Sequence, residues 1–160
     1  MSMIGNYLLV DEGLIHGIIS GKIGISEILY NTEHSDDEYL DIDKSWHAIH
    51  YILCGQCWDG ELPYFNAVLG GTIINDEDIG YGPARYLTPS EIKEVHEAIK
   101  NITEDEFKNK FDCKELVAND IYPQFSSNDD VDYVWSYFTM VQNIFEKASQ
   151  NGKYMLLYIN

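Results

Sequence analysis

Arginine is almost missing from this chain. Arg85 is the only one, and every other basic residue is a lysine. Ten bases stand against 27 acids, which leaves a formal charge of −17 over 160 residues. A surface so acidic repels phosphate backbones and anionic headgroups, so neither nucleic acid nor an anionic membrane is expected as a partner. Long hydrophobic runs are missing too: no apolar stretch approaches the roughly 20 residues that a membrane span needs. The opening, MSMIGNYLLV, lacks the basic segment of a secretory leader, and a cytoplasmic location is expected. Cysteine is sparse and odd in number, with Cys54, Cys57 and Cys113. Cys54 and Cys57 have CxxC spacing but fall at the far end of a helical pattern, where the helix dipole opposes a thiolate. Reduced thiols are therefore expected. Neither the phosphate loop GxxxxGK[ST] nor the nucleophile motif GxSxG occurs.

What is present suits a packed core. Apolar residues make up 45% of the chain and aromatics 13%, so disorder is not expected, and the length suits one domain over residues 1–160. Met3 to Val10 reads as a strand, and so does Lys153 to Ile159, whose unbroken apolarity suits a covered position. Two short helices broken near Gly21–Gly24 are expected between residues 12 and 30, with Ser26 capping the second. The segment Asp41 to Leu53 has helical spacing at Trp46, Ile49, His50 and Leu53, with Asp41 or Asp43 as cap and Gly55 as terminator. Ala67-Val68-Leu69 reads as a strand, Asn75 to Asp78 as an acidic turn, and Ala84 to Leu87 as another strand. Thr88-Pro89-Ser90-Glu91 is a strong helix start, with Thr103 to Glu106 repeating its capping box. Asn128 to Asp130 opens the longest helix, whose apolar stripe runs from Val131 to Ala148. The economical architecture is α/β: one mixed sheet, including the N- and C-terminal strands, layered with several helices.

Three stretches carry a family resemblance: Met3-Ile4-Gly5-Asn6-Tyr7, LDIDKSWHAIHYILCG from Leu40 to Gly55, and LGGTIINDEDIGYGPARYLTPSEI from Leu69 to Ile92. Ile121-Tyr122-Pro123 and Leu156-Leu157-Tyr158 also fit. Together they resemble the YfbM-like family of small bacterial proteins, a domain of unknown function. The resemblance implies a three-layer α/β/α fold and no reaction. Gly13, Gly17 and Gly21 make the first helical region poorer than the family pattern.

Chemistry-bearing residues concentrate in Phe65 to Ile92 and in the segment before it. A planar guanidinium suits a carboxylate or an anion, so Arg85 is expected either to grip Asp78 or Asp43 or to line an anion pocket with Tyr81, Tyr86 and a histidine. His47 and His50 lie three apart, with Asp43 four residues before His47, a spacing that can present three ligands to one divalent metal. A hydrogen-bonded core histidine is the competing account for His50. No cofactor is expected. Two functions follow. The first is a small, soluble, acidic interaction protein that binds a basic partner, as immunity proteins bind toxins. The alternative is a small enzyme or ligand sensor, with a pocket for an anion or a metal around Arg85, His47 and His50.

Overall fold

Two strands from opposite ends of the chain lie side by side at the centre of the molecule, in a computed structural model that describes residues Met1–Asn160. β1 (Gly5–Val10) pairs antiparallel with β5 (Tyr154–Ile159), placing Tyr7 opposite Leu157. β2 (Tyr39–Asp41) flanks β1, while β4 (Pro83–Leu87) and then β3 (Thr72–Asp78) follow on the other side of β5. The order is β2-β1-β5-β4-β3, and every pairing is antiparallel. The expected mixed sheet is thus corrected: no crossover helix links neighbouring strands in the same direction, so parallel pairing never arises.

Side chains alternate across a strand, which explains why β1 and β5 are apolar at nearly every position. Tyr7, Leu9, Met155 and Leu157 face one core, and Leu8, Val10, Leu156 and Tyr158 face a second. The smaller core is closed by α1 (Glu12–Ile19) and α2 (Ile25–Tyr30), through Ile15, Ile18, Ile25 and Ile28. The larger is closed by α3 (Trp46–Cys54), α4 (Pro89–Ile99), α5 (Glu104–Asn109), α6 (Cys113–Ala118) and α7 (Val131–Asn151). Helices therefore cover both faces of one sheet. On α7, Val134, Phe138, Val141, Phe145 and Ala148 are fully buried at helical spacing. Each of the larger ones contributes about 1.5–3 kcal/mol by leaving water.

Local chemistry sets most boundaries. Thr88 and Thr103 each accept the N3 backbone N–H, while Glu91 and Glu106 reach back to the cap N–H, so both predicted capping boxes form. Tertiary packing shifts the others. α3 starts only at Trp46, after a 3-10 turn over Asp43–Ser45, and neither Asp41 nor Asp43 caps it. Residues 39–41 pair with β1 instead. Gly24, not Ser26, precedes α2, and the Ser26 hydroxyl donates to Glu77. Ala67-Val68-Leu69 is no strand: a 3-10 turn covers Tyr64–Ala67 and leads into Gly70. The acidic residues Asp76 to Asp78 lie in exposed edge strand β3 rather than in a turn.

Candidate functional site

Arg85 and Tyr7 occupy one row of the sheet, because both stand opposite Leu157 from its two neighbouring strands. Their side chains run down the same face toward the segment that follows the 3-10 turn. Tyr7 donates its hydroxyl proton to the Ala67 carbonyl at 2.5 Å. Arg85 Nη1 donates to the Val68 carbonyl at 2.9 Å and to the Gly70 carbonyl at 2.7 Å. The guanidinium therefore holds backbone, and neither Asp78 nor Asp43 reaches it. Burial pushes its pKa down to about 10, Tyr7 beside it opposing the shift, so it remains charged at neutral pH. The cavity it lines, with Gly5, Tyr7, Trp46 and Val68, has a volume of about 10 Å³. That is room for roughly one water and not for a metabolite.

The glycines beside this clamp have a steric role. A Cβ at Gly70 would stand 2.2 Å from Asn66 Oδ1, and Gly71 has φ +93 with Tyr86 O 2.8 Å from where its Cβ would be. Asn66 Oδ1 in turn accepts from the Gly71 N–H, so the chain reverses there against its own backbone.

His47 and His50 hold the preceding loop. The Tyr122 N–H donates to His47 Nδ1 at 3.0 Å, so Nδ1 is the acceptor and Nε2 carries the proton. That Nε2 donates to the Cys57 carbonyl at 2.8 Å. His50 Nε2 donates to the Asp59 carbonyl at 3.0 Å, and its Nδ1 is buried without a partner. Both rings are buried, and burial lowers both pKa values, that of His50 to about 4. Two neutral imidazoles thus grip carbonyls two residues apart.

The remaining candidates lie elsewhere. Asp43 accepts from the Tyr133 hydroxyl at 2.8 Å. No three side chains among His, Cys, Asp and Glu converge at metal-ligand spacing, so Asp43, His47 and His50 do not form one ligand set. Tyr86 follows Arg85 on β4 and packs on the smaller core, across the sheet from the guanidinium. Tyr81 sits in the β3–β4 turn, where Asp78 Oδ1 accepts the N–H groups of Gly80 and Gly82. Asp78 therefore shapes a turn, and Tyr81 is largely at the surface. Burial, with Asp59 nearby, pushes the Cys54 thiol up to about 11, and all three cysteines are free.

The segment from Cys57 to Tyr64, which carries none of the candidate site residues, presents three apolar side chains at the surface. Trp58 is 65% exposed, Leu62 68% and Tyr64 37%. These apolar residues follow no helical or strand period, which was the available signal. Beneath them the segment is fixed at Cys57 and Asp59 by the histidines, and at Ala67, Val68 and Gly70 by Tyr7 and Arg85.

The family model described as a domain of unknown function, DUF1877, matches residues 1–158. The chain belongs to the DUF1877 family. A crystal structure of YfbM from Escherichia coli, a protein of unknown function, is similar with a TM-score of 0.75. It shares 22% identity, over 98% of this chain and 99% of that one. At that identity the likeness shows the fold alone and nothing of the chemistry. No curated protein matches the sequence. The YfbM-like resemblance and the α/β fold it implied both stand, and neither the family nor its solved relative carries a known function.

Proposed function

We propose that this protein works by binding a basic protein partner through its acidic surface, in the manner of immunity proteins that neutralise basic toxins. One observation carries the reading: the negative charge is left unspent. Only five of the 27 carboxylates meet a lysine, in exposed pairs at Glu97, Glu104, Asp132, Asp37 and Asp11. The sole arginine is turned inward onto backbone carbonyls. A field of one sign with so little internal compensation steers oppositely charged partners and speeds their encounter. The same field disfavours nucleic acid. No helix is long and apolar enough to cross a membrane.

The test is affinity capture with the full chain as bait, at low and at moderate salt, followed by purification of each retained protein. A strongly basic protein that binds directly, and about tenfold more weakly once salt screens the charges, supports the reading. Capture of none, or of partners whose binding ignores salt, overturns it.

A further inference from the structure

Resting on that reading, we infer that the docking point is the loop carrying Trp58, Leu62 and Tyr64, and that it takes an arginine-bearing segment of a basic protein. Trp58 is bracketed: the carbonyls of Cys57 and Asp59, one residue to either side, are held by His47 and His50. One side of its indole lies near the His47 ring, with centroids 4.3 Å apart, while most of its surface faces solvent. Backbone bonds from Phe65 N–H to the Glu61 carbonyl (2.9 Å) and from Asn66 N–H to the Pro63 carbonyl (3.0 Å) brace the remainder of the loop. A large aromatic side chain presented to water on so fixed a support loses little freedom when something docks on it. Tryptophan and tyrosine are also the residues that dominate binding energy at interfaces.

Charge selects the occupant. The apolar loop carries Asp59 and Glu61, both exposed, and an open groove beside Pro63 runs along α4 past Ser90, Glu94 and Glu97. Lys93 is the one cation lining that groove. Exposed carboxylates on the same loop as an exposed indole suit a guanidinium, which can stack on the ring while its donors meet carboxylates. Lysine supplies the charge without the planar stack, so arginine is the better fit.

The test is calorimetric titration of the full chain with a decamer of arginine, a decamer of lysine and a neutral apolar peptide of equal length. The arginine peptide is expected to bind tightest. Trp58→Ala should weaken it about tenfold, close to the lysine peptide's level, with Trp58→Phe recovering part of the loss. Because Trp58 touches His47, Leu62→Ser serves as a second variant on a side chain that is mostly in solvent, and it should weaken the apolar contact without changing the charge. Replacing Glu61 and Glu94 by Gln should cost more than the same change at Glu12 and Glu33, which lie on and beyond the helices of the opposite layer. Equal losses for both pairs, with Trp58→Ala and Leu62→Ser unchanged, would leave diffuse charge binding and remove the site alone. No binding of either cationic peptide removes the site, while the capture experiment separately decides the broader reading. Equal affinity for the neutral peptide, or a dimer of this chain that Leu62→Ser dissolves, would also overturn the proposal.

Discussion

Arg85 takes a full charge to a place where no carboxylate meets it. A half-buried charge is tolerable only if its donors are used, and Nη1 is used twice, on Val68 and Gly70. Hydrogen bonds from a charged donor are worth about 1.5–3 kcal/mol each, but removing the guanidinium also relieves its desolvation. Arg85→Met is therefore expected to cost about 2–3 kcal/mol in urea unfolding, and Arg85→Lys about half of that. Tyr7→Phe, which frees only the Ala67 carbonyl, should cost about 1 kcal/mol. Because the two side chains hold neighbouring carbonyls, the double variant should lose less than the sum. An Arg85→Met protein within experimental error of wild type would mean that the loop stands without it. The sequence made Arg85 conspicuous by its rarity but not what it grips. Carbonyls carry no sequence signature, and only the strand register puts Tyr7 and Arg85 in one row. The expected grouping of Tyr86 with Arg85 is overturned, since neighbours on a strand point to opposite sides and Tyr86 packs on the smaller core.

The element that joins these residues is the irregular segment from Cys57 to Gly70, which has almost no regular structure and is held by side chains from β1, β4 and α3. Regular elements were readable because periodicity and caps are local: both capping boxes, the α7 stripe and the two terminal strands were foreseen and are present. Short pieces decided by partners were not. β2 exists because β1 offers it an edge, and Ala67 to Leu69 coils because Asn66, Tyr7 and Arg85 tie it down. The histidine anchors give this segment a pH dependence with a definite sign. His50 titrates near 6.5 when unfolded and near 4 when folded. Above pH 6.5 both states are neutral and the anchor contributes fully. As pH falls from 6.5 toward 4, the unfolded chain takes up a proton that the folded one refuses, and that contribution is lost. His47 shifts in the same direction. His50→Gln keeps a donor for the Asp59 carbonyl without the titration. Its melting temperature should therefore gain on wild type as pH drops from about 7 to about 4.5. Parallel pH profiles for the two proteins would show that His50 is not the group being protonated.

Over the whole molecule, two kinds of force are separated in space. The cores are apolar on both faces of the sheet, with Trp46, Phe138 and Phe145 fully buried. The charge lies outside, where five surface ion pairs, weakened by solvent screening, offset little of the repulsion among the other carboxylates. Salt screens both, but it has far more repulsion than attraction to act on at a net charge of −17. The sign is therefore fixed: raising sodium chloride from about 20 mM to about 300 mM should increase stability, by roughly 1 kcal/mol or a few degrees in melting temperature. Urea is the denaturant to use, because guanidinium chloride would itself supply the screening. The same salt step should weaken a bound basic partner, so stability and affinity are expected to move in opposite directions across one titration. A protein that loses stability with salt would have its acidic surface locked in attractive networks, and the free field needed to recruit a partner would not exist.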